Sequence, residues 1–238
     1  MTWSIVARDP ASGALGVAVT TKFFAVGALC PWVRAGVGAL STQALVNPTY
    51  GPRGIDLLTA GATAEDTARV LLASDAGRAT RQLHIVDAKG TVAAHTGDDC
   101  IGWRGHRVGE GFSVAGNMLA GQAVVDATFE SFRRSAGRSL AERFLDALDA
   151  GQAEGGDMRG KQSAAILIHD SEDYPALSLR VDDHAEPLAE MRRLHRLSQA
   201  GYGAYRRFIA TKQDPVGVFD RSVIRPAVEA AEAAAKGT

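Results

Sequence analysis

Hydrophobic and polar positions alternate from the second residue onward. Thr2–Arg8 (TWSIVAR) and Leu15–Thr21 (LGVAVTT) carry the spacing of strands, and the DPASG cluster between them predicts a β-hairpin. Lys22–Pro31 reads as an apolar loop. Val33–Leu45, rich in Gly and Ala, predicts two short strands or one bent strand that another layer approaches closely. From Tyr50 to Ser74 the apolar spacing turns helical, and Gly61-Ala62 divides it into two helices. Thr63 with Asp66 gives the second helix a start resembling a capping box. Gln82–Val86 and Thr91–His95 predict a further hairpin around DAKG, followed by a loop over Thr96–Gly111 and a strand at Phe112–Ala115. Two helices follow, Gln122–Ser135 and Leu140–Ala150, then a glycine-rich loop, Ala150–Gly160. QSAAILIHD and ALSLRVDD form a third strand pair, and beyond Asp183 the pattern is helical and charged, with a last helix over Pro226–Lys236.

The order is strands, two helices, strands, two helices, strands, helices. Hairpin-paired strands make antiparallel sheets, and helix pairs cover outer faces. The expected fold is α+β, a four-layer αββα sandwich of two mainly antiparallel sheets with extra C-terminal helices. A doubly wound parallel fold is disfavoured because strand and helix do not alternate one for one.

Composition narrows the partners. Apolar residues make up 46% and charged residues 22%, with a net charge of −1, which gives no support for nucleic-acid or anionic-membrane binding. Two cysteines, Cys30 and Cys100, are too few for a disulfide framework. With Arg8 and Asp9 so early there is no signal-peptide core, and no run reaches the ~18 apolar residues of a membrane span. The expectation is a soluble cytoplasmic protein acting on a small molecule, with no cofactor.

The blocks SIVARDPASGALGVAV, KFFAVG, TQALVNPTYGPRG, VAAHTG, GNMLAG, AGQAEGGDMRGKQSAA and LRVDDH carry a family likeness. Over Thr2 to about His184 the chain resembles the family called domain of unknown function 1028. That family is similar to the N-terminal nucleophile (Ntn) hydrolases, so the resemblance implies the same αββα sandwich and a mechanistic class without a substrate. The domain expected from it covers residues 1–184; residues 185–238 fall outside the matching blocks and read as a helical extension packed on that domain, serving contacts in a homo-oligomer.

Thr2 is the first candidate. An N-terminal threonine attacks an amide carbonyl through Oγ while its own α-amine, of pKa about 7.7, takes the proton. The side chain of threonine is small enough to permit removal of Met1. The Ntn resemblance implies a cation on a neighbouring strand, for which Lys22 and Arg34 are the candidates. Where such hydrolases often carry an acid, this chain has Thr20 and Thr21. The bland alternative is a strand that simply begins at Thr2. Ser41, Thr42, Gln43, Asn47 and Asn117 supply hydroxyls and amides for oxyanion or substrate contacts, although Asn47 before Pro48 equally suits a turn. Asp157, Arg159, Gln162 and Ser163 in GGDMRGKQSAA suit a ligand carboxylate held by Arg159, or a plain Asp157–Arg159 pair. His95 is a further substrate-binding candidate. His95, Asp98, Asp99, Cys100 and His106 lie close together, but H-x4-C-x5-H matches no standard zinc pattern, so no metal is expected. Cys30 reads as a packing thiol.

Three functions stay open: an amidohydrolase acting on a small amide or ureido metabolite, a catalytically silent binding or assembly protein, or a hydrolase using a metal or an internal residue such as Ser163 or Cys100.

Overall fold

The first strand explains the layering. In the computed structural model, which describes residues 2–236, β1 (Thr2–Arg8) is buried along nearly its whole length. A strand buried on both faces belongs at the centre of a sheet that is itself covered on both sides. β1 pairs antiparallel with β2 (Leu15–Thr21) and with β8 (Phe112–Leu119). With β9 (Ser163–His169), β10 (Leu177–Val181) and β7 (Trp103–Gly109) they make a six-stranded sheet ordered β10-β9-β2-β1-β8-β7. A second, four-stranded sheet is ordered β3-β4-β5-β6, from Pro31–Arg34, Gly38–Ala44, Arg81–Asp87 and Val92–Thr96.

The two sheets pack face to face. α1 (Tyr50–Thr59) and α2 (Ala64–Ala73) cover the smaller sheet, while α3 (Gln122–Arg134) and α4 (Leu140–Ala153) cover the larger. Leu40, Leu83 and Ile85 point toward α1 and α2, where they pack with Tyr50, Ile55 and Leu71. On the other side Phe112 stacks on Phe129 with ring centroids 4.7 Å apart, and Phe132 and Phe144 continue the cluster. The fold is therefore the antiparallel α+β sandwich expected from the pattern. No helix among the described residues is long and apolar enough to cross a membrane.

Several local expectations are corrected. The segment read as a loop over Thr96–Gly111 contains β7, an edge strand whose residues alternate between exposed and half-buried. Its Gly and Arg content hides it, but Arg107 lies 3.9 Å over the Phe129 ring and bonds Asp126 and Glu130 of α3. β8 runs on to Leu119, so Asn117 lies within a strand rather than at a junction. α4 continues to Ala153, through part of the presumed glycine loop. Gly151 explains this: a Cβ there would meet Thr128 of α3 and fall 2.9 Å from Trp3 Nε1, so glycine lets the helix pass its neighbours closely. The Val33–Leu45 stretch resolves into two strands, β3 and β4.

The chain divides into two compact units, Met1–Met191 and Arg192–Thr238. The second holds the end of a helix over Pro187–Leu197, a kink at Ala200 and a helix over Arg221–Lys236. That last helix starts ahead of Pro226 because Asp220 caps it, accepting from Ser222 N at 2.8 Å.

Candidate active site

The space between the sheets changes character along the strands. At one end Val6, Leu15, Val17, Ala39 and Val86 form an apolar cluster. At the other, strand positions two residues along become polar: Ser4 and Thr2 on β1, Ser41 and Gln43 on β4, His84 and Gln82 on β5, Ser113 and Asn117 on β8. Ser41 faces His84 and Gln43 faces Gln82 across the β4–β5 ladder. Side chains of one parity share one face, so this polar half of an otherwise apolar layer is written directly in the strands.

All of these residues except Ser41 join one hydrogen-bonded network. Gln82 is its hub: its Oε1 accepts from Gln43 Nε2 at 2.8 Å and from Asn117 Nδ2 at 2.9 Å. Its Nε2 faces Thr96 Oγ1, Gly105 O and Gly116 O. Ser4 Oγ donates to Gln43 Oε1 at 2.7 Å, which spends its single proton. His84 Nε2–H therefore donates to Ser4 Oγ at 2.7 Å, and Nδ1 accepts from Ser113 Oγ at 2.9 Å. Full burial, with the His106 charge adding to it, pushes the His84 imidazole down to about 3. Protons thus bind the unfolded imidazole first, and the stability from neutral His84 is complete above its unfolded pKa and lost as pH falls below it. At pH 5 the loss is about 2 kcal/mol. We expect urea unfolding at pH 7.5 and pH 5 to show it, and the pH difference to shrink by that amount in His84→Gln.

The network ends at a cavity of about 610 Å³. Thr2, Gln43, Asn117 and Arg159 line it, together with Cys30, Cys100 and apolar side chains of the neighbouring loops. Thr2 opens β1, opposite Thr21 on one side and Asn117 on the other. Its Oγ1 donates to Thr21 Oγ1 at 3.1 Å, and Asn117 Nδ2 lies 3.4 Å from its carbonyl. Among the described residues, the non-glycine residues with positive φ are Ala25, Ala44 and Met118. Ala44 and Met118 line the cavity directly after Gln43 and Asn117, and Ala25 precedes the lining residue Val26. Such backbone costs of order 1 kcal/mol per residue and gathers where geometry is under functional constraint.

Two anchors hold the walls. Asp75 Oδ2 accepts from Asn47 Nδ2, Tyr50 Oη and Arg81 Nε, and Arg81 Nη1 donates to Leu45 O at 2.6 Å. The Arg81 hydrogen bond, reinforced by Tyr50 and Asn47, holds the Asp75 carboxyl well below the usual range despite its desolvation. On the facing side Ser163 Oγ donates to Phe23 O at 2.6 Å and accepts from Val26 N at 3.2 Å, pinning the loop after β2.

Of the remaining sequence candidates, Cys30, Asp99 and Cys100 line the cavity and the others fall outside its wall. Lys22 is exposed, and its Nζ donates to Lys161 O at 3.2 Å. Arg34 lies at the far end of β3, on Thr59 Oγ1. Neither cation lines the cavity. Thr42 bonds Asn47 O, Asn47 also holds the turn before α1 through Thr49, and His95 Nε2 bonds Arg78 O. Ser41 Oγ is buried with no hydrogen-bond partner. Asp157 is buried, accepts from Lys22 N at 2.8 Å and pairs with Arg159 at 3.2 Å, and Gln162 bonds Asp183. Burial pushes the Cys30 thiol up to about 12 and raises that of Cys100, whose Sγ points at Arg81 O. Ser4, Gln82, His84 and Ser113 were not singled out by sequence reasoning. Their signal is the same-parity run of polar residues in strands whose other face is apolar.

The chain matches the family of unknown function DUF1028 over residues 2–191. No curated protein matches it. Among solved structures, protein SPO2555 from Silicibacter pomeroyi, a DUF1028 protein, shares 29% identity with a TM-score of 0.84, covering 92% of this chain and 99% of that one. Anbu (ancestral beta-subunit) from Yersinia bercovieri aligns at 12% identity and a TM-score of 0.41, over 84% of this chain and 93% of that one. With most of its length matched by one family, the chain belongs to DUF1028.

Proposed function

We propose that this protein is an Ntn-type amidohydrolase that cleaves the C–N bond of a small amide or ureido metabolite with Thr2 as nucleophile. The observation that carries the reading is Thr2 itself: it leads the central strand and meets a cavity at the polar end of the intersheet layer. Removal of what precedes Thr2 frees its α-amine. Thr2 Oγ then attacks the carbonyl and the amine takes the proton. The tetrahedral intermediate collapses, the C–N bond breaks, and the leaving amine departs with that proton. Water hydrolyses the ester and restores Thr2.

Thr21 accepts from the Thr2 hydroxyl and so orients it. Gln43 and Asn117 spend amide protons on Gln82, Ala115 and the Thr2 carbonyl, which suits positioning groups. Arg159, paired with Asp157, is the cation on the cavity wall. A binding protein without turnover is the second reading, favoured by the Lys22 ammonium being turned to the Lys161 carbonyl.

Met1, on which the chemistry depends, lies outside the described residues. Intact mass of the protein from its native host tests the reading: a chain beginning at Thr2 is expected, and an active enzyme that keeps Met1 would overturn it.

A further inference from the structure

The cavity has a buried polar floor and a mostly apolar wall, in which Thr80, Asp99 and Arg159 are the polar exceptions. Gln43 and Asn117 are each 1% exposed and Thr2 is 7% exposed. Most of the wall around them is apolar, and several of its apolar residues are bare: Phe23 is 56%, Ile101 63% and Leu45 65% exposed, and Met118, Leu29 and Val46 line it with them. Isolated exposed apolar residues are ordinary, but several lining one concavity mark a ligand surface. The backbone that carries these side chains is tied down. Ser163 pins the Phe23 carbonyl, Arg81 holds the Leu45 carbonyl, and Met118 N donates to Ile101 O at 3.1 Å.

Charge in the cavity argues in the same direction. Arg159 meets a buried Asp157 through Nη2 at 3.2 Å, and the same carboxylate accepts from Arg159 N at 2.8 Å. A substrate carboxylate would have to compete with that contact, and Asp99 on the wall adds a negative charge.

We infer that the substrate is an uncharged N-acyl amide whose acyl group is a medium-length alkyl chain or an aryl ring. This narrows the proposed function, and rests on it in assuming that the scissile carbonyl lies at Thr2. The carbonyl meets the polar floor while the acyl body covers Leu29, Leu45, Val46, Ile101 and Phe23. A volume of about 610 Å³ accommodates such a body and is far larger than a ureido group requires.

Binding is measured by calorimetry in Thr2→Ala protein, which cannot turn the ligand over. Butanoyl-, hexanoyl- and octanoyl-glycinamide and N-carbamoylglycine are the probes. We expect the Kd to fall about three- to fourfold per added methylene and N-carbamoylglycine to bind more weakly than all three. Leu45→Asp and Ile101→Asp, both at exposed positions, should flatten the series. A flat series in the parent protein, or tighter binding of N-carbamoylglycine, overturns the inference. Wild-type turnover of the same probes separates the two claims. Chain-length-dependent binding without hydrolysis supports the substrate class and sinks the nucleophile. Thr2-dependent hydrolysis of N-carbamoylglycine with a flat series does the reverse.

Discussion

Thr2→Ala should lower kcat/KM by about 10³-fold or more while leaving the fold intact. The substitution deletes the attacking oxygen but keeps a residue small enough for removal of the methionine ahead of it. It also keeps the backbone pairing of Thr2 with Thr21 and Asn117. The loss in the folded state is one hydrogen bond to Thr21, a net cost of about 1 kcal/mol. Thr2→Ser restores the oxygen without the methyl and should recover much of the rate. Activity and thermal melting read on the same samples distinguish a lost nucleophile from a lost strand. A Thr2→Ala enzyme that keeps its rate would leave an internal residue as the catalyst.

Gln82→Leu should be the most destabilising single change in the intersheet layer. Gln82 accepts from Gln43 and Asn117 and donates toward Thr96, Gly105 and Gly116. A leucine of similar size leaves at least two buried amide protons facing a methyl group. At about 1–3 kcal/mol for each unsatisfied group, the expected loss is about 3–5 kcal/mol. For a chain of this length that corresponds to a fall in Tm of roughly 10 °C. Because Asn117 pairs with Thr2, activity should fall in the variant even at temperatures where it is fully folded. A Tm within about 2 °C of the parent would show that water or rearrangement replaces the hub.

The sequence carried the fold further than the site. Hairpins, helix pairs and their order were legible because TWSIVAR, LGVAVTT and the Tyr50–Ser74 spacing each express a single period. WRGHRVG did not announce a strand, since its edge position leaves every residue at least partly exposed and its stability comes from contacts with β8 and α3. The cavity was legible only in part. Thr2 was visible from the mechanism that a leading threonine allows, and Gln43, Asn117 and Arg159 from their chemistry. Lys22 and Arg34 are candidates through the cation on a neighbouring strand that the Ntn resemblance implies, but the direction of a long cation is set by its acceptor. Here the Lys161 carbonyl takes one and the Thr59 hydroxyl the other, and neither lines the cavity. Gln82 and His84 looked like ordinary strand residues because their meaning depends on Ser4 and Ser113, which are distant in the chain and adjacent only across the sheets.

Covalent trapping tests the central claim most directly. Mature protein exposed briefly to p-nitrophenyl acetate, quenched and digested, should carry one acetyl group on the peptide that begins with Thr2, and Thr2→Ala should carry none there. Acetylation of Cys100 or Ser163 in a protein that turns the ester over, with the Thr2 peptide unmodified, would contradict the account.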